Sequence, residues 1–520
     1  MNALAVSPQE RLYEQSRQEF EDIIKGLDSD EARSMTHSDL ERELEQKSRE
    51  LMRKLLQEHL ESRGPGECAQ PLRGSDGVER VRVRPHERKL ETIFGTVSVE
   101  RASYGQEGTQ SLHPLDAELN LPDKKYSLEL CRRVAEETAK SSFDDTLESI
   151  NKYTGGHVPK RQMEEIVMGA AQDFDAFYEI RQGNPSQGKK RGSIIVITVD
   201  GKGVVMRTQD LREQTRKAAN KRKHKMGMRL SKGEKKNAKR MATVAAVYTI
   251  VPFVRKPEDL VPINNLARAQ PPPPRPDHKR VWASLEKSPQ EVIEKAFEEA
   301  DYRDTGHQKP WVALVDGNKP QIRILRRMAK DTGINLTIIV DIIHVIEYLW
   351  DAGRAFYPKA ESELENWVGV RLLEILRGKA GYVAGGMRRS ATKRGLVGKE
   401  RKPVDTCANY LLTYKSYLKY NHYLSQGFPI ATGIIEGACR HLVKDRMEVT
   451  GARWSLKGAE AVLRLRALRS SHDFDEYWTF HEAQEYNRNH RNLYAGGIVP
   501  PTLKPQPIRT LNRSHLKAIK

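Results

Sequence analysis

The stretch SIIVITVDGKGVVMR, residues 193–207, decides the fold. It begins with a continuous apolar run that is typical of a buried strand, and it predicts a strand that ends at Asp200, a turn at Gly201 and a second strand beyond the turn. The stretch WVALVDGNKPQ, residues 311–321, repeats this pattern and predicts a strand that ends at Asp316. Because a strand followed by Asp-Gly is usually only a turn, neither stretch alone indicates a functional site.

The order of the elements around these two aspartates predicts an α/β fold with an RNase H-like catalytic core. In such a core, the central strands present two acidic residues and a later helix presents a third. The predicted elements are the strand with Asp200, a strand (241–251), a helix (288–300), the strand with Asp316, a helix (320–333), a strand (334–341) and a helix with Glu436. The long intervals between the acidic residues predict insertions, among them a helical block before the last catalytic helix.

Three clustered carboxylates repel one another unless cations neutralise them, and divalent cations that prefer oxygen ligands do this best. Asp200, Asp316 and Glu436 are therefore predicted to be catalytic metal ligands for Mg²⁺ or Mn²⁺. Two such ions about 3.5–4 Å apart activate a nucleophilic water or 3′-hydroxyl and stabilise the leaving oxygen in a displacement at phosphorus.

The stretch GFPIATGIIEGACRHLVKDRM, residues 427–447, places cations after Glu436. If this segment is helical, Glu436, Arg440 and Lys444 follow at intervals of four and share one side of the helix. The carboxylate then lies beside a metal, while Arg440, Lys444 and Arg446 contact the phosphates of DNA. A ladder of surface salt bridges would have the same spacing and is the alternative interpretation.

The composition indicates a polyanionic partner. The 520 residues carry a formal charge of +18 and a pI of about 9.5, which favours nucleic acid through neutralisation of phosphates. A basic surface without a specific partner is the alternative. No stretch approaches the ~18 apolar residues of a membrane span, and the first residues lack the layout of a secretory signal. We expect a cytoplasmic, nucleoid-associated protein whose four cysteines, without a C-x-x-C pair, form neither a zinc site nor a disulfide framework.

Seven segments are predicted along the chain. They are a charged helical region (1–75), a small β-hairpin module (76–122), a helical region resembling a helix-turn-helix (123–190), the first part of the core (191–344) with a basic insertion (212–240) and a proline-rich linker (270–276), a helical insertion (345–426), the glutamate helix with the end of the core (427–475), and a basic tail (476–520).

Three local patterns within these segments make more specific predictions. Ser38 and Glu41 have the spacing of a capping box that begins a helix. In the helix-turn-helix segment, Lys160 and Arg161 open the second helix and are candidate DNA contacts, although ordinary helical packing explains the pattern equally well. Residues 378–399 are rich in glycine and arginine and are expected to be flexible.

Several motifs together resemble a known family. VITVDGKGV, WVALVDG, IVDIIHVIEYLWDAG, FPIATGIIEGACRHLVKDRMEVTGARWS and AEAVLRLRALRSSHDFDEYW are similar to the DDE transposases of the bacterial ISKra insertion-sequence group, relatives of the eukaryotic Mutator-like elements. The resemblance implies an RNase H-like core that cleaves the terminal inverted repeats of a transposon and joins the released 3′-OH ends to target DNA, as a homo-oligomer in the synaptic complex. It implies that Asp200, Asp316 and Glu436 are the three acidic residues.

The resemblance also places Asp341 and His344 at the family's D-x-x-H pair. Asp341 is a rival to Asp316 as the second metal ligand, but its position after a strand also suits a helix N-cap, so Asp316 is preferred. His344 is either a catalytic residue near the scissile phosphate or a structural histidine. In GQEGTQSLHPLD, residues 105–116, the chain lacks the cysteines that similar proteins carry, which argues against zinc in the N-terminal part.

Three further side chains near these motifs have two interpretations each. Trp350 and Trp454 could stack on unpaired bases at a DNA end, but buried packing is the more common role of tryptophan. Arg453 is a candidate phosphate contact.

Two other functions fit the same sequence. One is a domesticated transposase that binds DNA without cutting it. The other is an RNase H-fold nuclease that cuts DNA without joining the ends.

Overall fold

The computed structural model describes residues 12–183, 193–221, 238–261 and 272–503. None of the helices in these ranges is long and apolar enough to cross a membrane.

The described helices and strands are numbered here in chain order. The helices are α1 (Glu14–Leu27), α2 (Asp30–Ser34), α3 (His37–Ser62), α4 (Pro114–Glu118), α5 (Leu128–Lys140), α6 (Phe143–Tyr153), α7 (Lys160–Ala170), α8 (Phe174–Gln182), α9 (Glu213–Asn220), α10 (Pro257–Leu260), α11 (Pro289–Arg303), α12 (Lys319–Asp331), α13 (Ile342–Arg354), α14 (Glu361–Leu376), α15 (Ala380–Lys393), α16 (Gly398–Thr413), α17 (Tyr420–Ser425), α18 (Gly433–Ala438), α19 (Asp445–Met447), α20 (Leu456–Ser471) and α21 (Phe474–Asn489). The strands are β1 (Leu72–Arg73), β2 (Glu79–Arg80), β3 (Arg82–Thr92), β4 (Gly95–Gly105), β5 (Ile194–Val205), β6 (Lys239–Ile250), β7 (Asp277–Ser284), β8 (Trp311–Val315) and β9 (Leu336–Val340).

The chain divides into two compact units, of which the N-terminal unit comprises residues 1–173 and 475–520. Its strands β3 and β4 pair in antiparallel register from Arg82 opposite Gly105 to Thr92 opposite Gly95, which confirms the predicted hairpin. Leucine and valine side chains of α3, β3, β4 and α4 form its core. The segment 476–520, predicted as a tail, instead begins with most of α21, which belongs to this unit.

Two helices of the N-terminal unit follow the predicted helix-turn-helix layout. Helix α6 ends at Tyr153, and α7 begins at Lys160 after the N-cap residue Pro159. Helix α5 packs against both. The structure thus shows two consecutive helices in this segment, whereas a DNA-binding helix-turn-helix stays a prediction. The predicted capping box was wrong, because α3 begins two residues earlier, where the Thr36 hydroxyl accepts from the backbone N–H of Asp39.

The central unit, residues 174–474, contains a five-stranded mixed sheet in the order β7-β6-β5-β8-β9. Strands β5, β6 and β7 pair antiparallel, while β5, β8 and β9 are parallel. Side chains Ile194 to Val199 of β5 and the whole of β8 are buried, as expected for strands covered on both faces. The mixed α/β class predicted from the sequence is thus present.

The first part of the sheet differs from the prediction in one respect. Strand β5 does not end at Asp200 and turn at Gly201; it continues to Val205, with Asp200 opposite Val244. The partner strand β6 is equally long, so its hydrogen bonds extend the ladder through the Asp-Gly pair. Asp200 therefore lies within a strand.

Helices cover the sheet and continue beyond it. Helix α11 packs on β5 and β6, α18 contacts the same two strands, and α20 packs on β7. After β9, α13 to α17 form the helical block expected at 345–426. Residues 378–399 are not a flexible segment, because α15 occupies Ala380–Lys393 and buries one apolar side.

Two of the predicted insertions lie partly outside the described residues. Of the basic insertion 212–240, residues 222–237 are outside the described ranges, and α9 precedes them. Of the proline-rich linker 270–276, residues 270 and 271 are likewise outside.

Candidate active site

The structure brings Asp200, Asp316 and Glu436 together in the central unit. Strands β5 and β8 are parallel neighbours, so Asp200 on β5 and Asp316 directly after β8 lie toward the same edge of the sheet. Glu436 lies on α18, which packs against β5 and β6. The Asp200 carboxylate is close enough to raise the pKa of both Asp316 and Glu436. Three side chains that are far apart in the sequence therefore form one acidic cluster.

Asp200 is held by two hydrogen bonds. One carboxylate oxygen, Oδ1, accepts from the backbone N–H of Gly201 at 2.6 Å, and the other, Oδ2, accepts from the thiol of Cys439 at 3.2 Å. Burial raises the pKa of the Cys439 thiol, with Asp200 as a further cause, so the thiol is a protonated donor at neutral pH. The sequence-based predictions give Cys439 no role in the acidic cluster. Its position three residues after Glu436, about one helical turn, was the available signal.

Asp316 lies in a loop that two tyrosines of the helical insertion hold in place. Its Oδ1 atom accepts from the backbone N–H of Asn318 at 2.9 Å. The hydroxyl of Tyr410 donates to the carbonyl oxygen of Asp316 at 3.2 Å, and the hydroxyl of Tyr414 donates to the carbonyl oxygen of Gly317. Burial raises the pKa of Asp316, the Asn318 N–H opposes this shift, and the Asp200 charge adds to it. The helical insertion thus holds Asp316 of the acidic cluster in place. The sequence alone did not predict this contact.

Asp341 is a structural residue by its contacts. It is fully buried and is the N-cap of α13, where its Oδ1 atom accepts from the N–H of Ile343 at 2.9 Å. Its Oδ2 atom accepts from the hydroxyl of Thr432. The N-cap interpretation is confirmed. Because Asp341 is fully buried whereas Asp316 is half-buried, accessibility supports Asp316 over Asp341 as a ligand.

His344 and Glu436 lie on the accessible side of the cluster. The Nδ1 atom of His344 is 3.0 Å from a carboxylate oxygen of Glu347, and the ring lowers the pKa of both Asp316 and Glu436. Burial raises the pKa of Glu436, followed by the charge of Asp341. Within the described residues, the exposed Glu436 carboxylate has no hydrogen bond or ion pair and is free to bind a ligand.

The donor set of the acidic cluster fits hard divalent cations. Asp200, Asp316 and Glu436 offer carboxylate oxygens, which Mg²⁺ and Mn²⁺ prefer, and the raised pKa values show that unneutralised charge is costly there. Among the described residues, the ligand atoms of these three carboxylates do not all lie within 4.8 Å of one another.

A second group of possible metal ligands lies in the N-terminal unit. It consists of Asp173, His481 and Glu485, whose ligand atoms are within 4.8 Å of one another. Its spacing could hold a metal ion. However, Arg488 donates to both oxygens of Asp173 at 3.2 and 3.0 Å and to Glu485 at 2.6 Å, and His481 lies 2.7 Å from Asp173. The guanidinium group already neutralises these carboxylates, so the group is a satisfied ion-pair network.

Arg440 and Lys444 do not share one side of an α-helix with Glu436, as was predicted. Residues Cys439–Lys444 form a π-helix, whose wider turns rotate Arg440 and Lys444 relative to Glu436. Both cations are nevertheless exposed, and the side chain of Arg440 is 73% exposed, with Asp445 3.7 Å away. These two residues stay candidates for contact with DNA.

Arg446 is not available for contact with DNA as predicted. It is 3% exposed, and its guanidinium lies 4.9 Å from the ring centroid of Trp454. Trp454 is itself buried and donates its indole N–H to the carbonyl oxygen of Met447 at 3.1 Å. Both side chains therefore pack in the interior, which supports the structural interpretation of Trp454. Arg453 beside it is exposed, and Trp350 is half-buried.

The predicted DNA contacts of the N-terminal unit are at the surface. Lys160 and Arg161 are both exposed at the start of α7. The ammonium group of Lys160 lies 2.5 Å from a carboxylate oxygen of Asp144 on α6. Arg161 is consequently the more available cation of the two.

Comparison with protein-family models and with curated protein sequences finds no match for this chain.

Proposed function

We propose that the protein is a metal-dependent DNA transposase of the DDE type, as the ISKra-group resemblance implies. The observation that carries the proposal is the convergence of Asp200, Asp316 and Glu436. The strand order supports it. The strands lie in the sheet in the order β7-β6-β5-β8-β9, which is 3-2-1-4-5 when the five strands are numbered along the chain. This is the order expected of an RNase H-like core. In this core the first strand carries one aspartate, the fourth strand leads into the second, and a later helix carries the glutamate.

The residues of the cluster have separable tasks in this proposal. Asp200, Asp316 and Glu436 would hold Mg²⁺ or Mn²⁺, which supplies a Lewis acid and an activated water or 3′-hydroxyl for displacement at phosphorus. Cys439 orients the Asp200 carboxylate, and Tyr410 and Tyr414 fix the loop of Asp316. The exposed side chains of Arg440 and Lys444 bind the phosphates of the strand that is cut.

The charge of the chain supports DNA as the substrate. A formal charge of +18 favours a polyanion, and the exposed Arg161 opens the second helix of a helix-turn-helix segment. We propose that this segment binds the terminal inverted repeats and that the central unit cuts and joins the DNA.

The test is a cleavage and joining assay on labelled DNA that carries the element's own ends. Asp200→Asn, Asp316→Asn and Glu436→Gln should each reduce Mg²⁺-dependent nicks and joined products by at least about a thousandfold, because each removes a charge that holds the cations. Asp331→Asn is the matched control, since Asp331 is an exposed carboxylate at the end of α12 outside the cluster.

Each outcome of this assay has a defined meaning. Loss of both products in the three variants, with normal products from the control, supports the proposal. Nicks without joined products would assign a nuclease instead. DNA binding without any Mg²⁺-dependent nick would assign a non-catalytic DNA-binding protein.

A further inference from the structure

Helix α12 carries a row of cations along one side. The row consists of Lys319, Arg323, Arg326, Arg327 and Lys330, all of which are exposed. With 3.6 residues per turn, these five positions lie within about 100° of one another around the helix, and we call them the α12 stripe. The opposite side holds Ile322 and Leu325, which are buried, and the helix contacts β8 and β9. The helix therefore presents an apolar side to the sheet and a cationic side to solvent.

The charges of the α12 stripe are not neutralised by the described part of the chain. Among the described residues, none of the five side chains forms a hydrogen bond or an ion pair. The guanidinium of Arg326 lies 5.2 Å from the ring centroid of Tyr417, which leaves its charge in place. Other surface arginines of the central unit, such as Arg354 and Arg401, have an aspartate one helical turn away. Because like charges on one helix face repel one another, an anionic partner would stabilise the stripe.

The α12 stripe begins beside the acidic cluster, because Lys319 follows Asp316 by three residues. The backbone N–H of Asn318 donates to the Asp316 carboxylate at 2.9 Å. The side chain of Asn318 is also the N-cap of α12, where it accepts from the backbone N–H of Gln321 at 3.3 Å. One residue thus holds both the carboxylate and the first turn of the helix. From Lys319 to Lys330, the stripe extends about 16 Å along the helix axis.

The composition of the α12 stripe favours DNA over a membrane or a protein as its partner. Within α12, which is described in full, no large apolar side chain is exposed. Helices that lie on membrane surfaces insert Trp, Phe or Leu, and protein interfaces are centred on apolar or aromatic side chains. One strand of B-DNA carries a phosphate per about 3.4 Å of helix axis, so about 16 Å matches about five phosphates, one for each cation of the stripe.

We propose that the α12 stripe binds the phosphates of one strand of the DNA duplex next to the bond that is cut. This inference rests on the proposed function, because it takes the acidic cluster as the place where the strand is cut. The contact is with the backbone alone, so it positions the DNA without reading its sequence. A cationic face that only water and salt ions cover is the competing explanation.

The decisive variant is Arg323→Gln with Lys330→Gln, which removes two charges of the stripe. The matched control is Arg389→Gln with Lys393→Gln on α15, since these are likewise an exposed arginine and an exposed lysine without an ion pair in the described ranges. Both variants should unfold at the temperature of the parent chain, because exposed side chains without specific contacts contribute little to stability. The probe is a DNA duplex of random sequence, titrated into the full chain by fluorescence anisotropy across a KCl series in metal-free buffer.

Each lost phosphate contact lowers the slope of log affinity against log salt by about 0.9. The stripe variant should therefore reduce this slope by about two and weaken binding at least about tenfold at low salt. The control should bind the duplex like the parent chain. An unchanged slope in the stripe variant, or an equal decrease in the control, would overturn the proposal. Weaker binding of the stripe variant to phosphatidylserine vesicles, with unchanged binding to DNA, would overturn it in favour of a membrane surface.

A second arm locates the contact on the DNA. Hydroxyl-radical footprinting on a duplex that carries the element's own end should show protection of about five nucleotides of one strand beside the junction with flanking DNA. The stripe variant should lose this protection and keep the rest of the footprint, and loss of protection elsewhere would contradict the proposed position.

Neither arm needs Mg²⁺ or a cut strand, so the two proposals can fail separately. A reduced salt slope in the stripe variant, without any cleavage by the parent chain, would refute the proposed transposase activity and leave the DNA contact of the stripe in place. Cleavage by the parent chain, with an unchanged salt slope in the stripe variant, would refute the contact alone.

Discussion

At the scale of single residues, the acidic cluster makes Asp316 a destabilising residue in the absence of cations. Burial and the neighbouring Asp200 raise the pKa of Asp316, so the folded protein binds its proton more tightly than the unfolded chain does. The contribution of Asp316 to stability is therefore greatest in acid and falls as the pH rises through its folded pKa. In metal-free buffer at neutral pH, we expect Asp316→Asn to have a higher unfolding temperature than the parent chain, with the difference vanishing below the ordinary pKa near 4.

Calorimetry with EDTA and then with Mg²⁺ checks this prediction. Mg²⁺ should raise the unfolding temperature of the parent chain and leave that of Asp316→Asn nearly unchanged, because binding to the folded state alone stabilises it. An equal response of both proteins to Mg²⁺ would show that Asp316 does not bind the ion.

Gly317 is the second residue with a specific requirement. Its φ of +93° is in the left-handed region, and an added Cβ would lie 3.0 Å from the hydroxyl of Tyr410 and 3.3 Å from Cζ of Tyr414. Gly317→Ala should therefore cost more than about 1 kcal/mol of unfolding free energy and also reduce cleavage, because the loop of Asp316 must move. Gly333→Ala is the control, since it has a similar φ of +70° but no neighbour within 4 Å of the added atom. Urea denaturation of both variants separates the clash with Tyr410 and Tyr414 from backbone strain. Equal losses of unfolding free energy in Gly317→Ala and Gly333→Ala would contradict the role assigned to the two tyrosines.

At the scale of elements, a buried ion-pair network joins α8, α11 and the sheet. Glu299 of α11 lies 2.6 Å from Arg280 of β7 and 2.7 Å from Arg303, and Arg280 stacks 3.4 Å from the ring centroid of Tyr178. Burial alone would raise the pKa of Glu299, but the two arginines outweigh it and hold this pKa at about 2. Glu299→Gln should lower the unfolding free energy by about 3–5 kcal/mol at neutral pH, because it leaves a buried charge without its partner.

The pH dependence of this loss follows from the lowered pKa. The stabilisation by Glu299 is complete above its ordinary value of 4.5 and is lost as the pH falls toward about 2, so the difference between the parent chain and Glu299→Gln should close over this interval. Glu298→Gln is the control, because Glu298 is largely exposed and its ion pair with Lys295 is long, at 4.0 Å. If the difference in unfolding free energy between the parent chain and Glu299→Gln did not depend on pH, the packing of the Glu299 side chain rather than its charge would be responsible for the loss.

The π-helix after Glu436 separates two arginines that the sequence treated alike. Arg440 is exposed, whereas Arg446 is buried against Trp454. We expect Arg440→Ala to weaken DNA binding, to reduce the slope of affinity against salt by about one and to leave stability nearly unchanged. Arg446→Ala should instead destabilise the fold through lost packing. Fluorescence anisotropy across a KCl series, together with thermal unfolding, measures both effects; a reduced salt slope in Arg446→Ala alone would reverse the assignment.

The sequence predicted those elements whose signal is local. The apolar runs of β5, β6, β8 and β9 and the capped helix α11 follow from periodicity and side-chain type. Strand β7 was missed because its first residues, DHKR, are polar and follow a proline run. Helix α15 was missed because glycine and arginine conceal the apolar positions Val383, Ala384 and Met387 that it buries.

The same distinction applies to the acidic cluster. Residue type and the order of the elements led to the choice of Asp200, Asp316 and Glu436, although Asp200 lies within β5 rather than at its end; their role as metal ligands stays a prediction. The supporting contacts of Cys439, Tyr410 and Tyr414 depend on tertiary packing, which no local pattern encodes. Arg446 was assigned wrongly for the same reason, because charge suggests the surface unless an aromatic partner and burial are visible.

At the scale of the whole molecule, net charge separates DNA binding from catalysis. The chain carries +18, and the three carboxylates of the cluster contribute negative charge that DNA phosphates would approach in the proposed reaction. In metal-free buffer, Asp200→Asn, Asp316→Asn and Glu436→Gln should therefore bind DNA at least as tightly as the parent chain, with affinity that falls steeply with salt in all four proteins. In Mg²⁺ the parent chain should gain affinity and the variants should not, because only the parent chain holds cations that bridge carboxylate and phosphate. Anisotropy titrations over a range of KCl, with and without Mg²⁺, measure this difference. Weaker metal-free binding by all three variants, alongside lower unfolding temperatures, would show that the carboxylates maintain the fold rather than bind metal, and would remove the basis of the proposed chemistry.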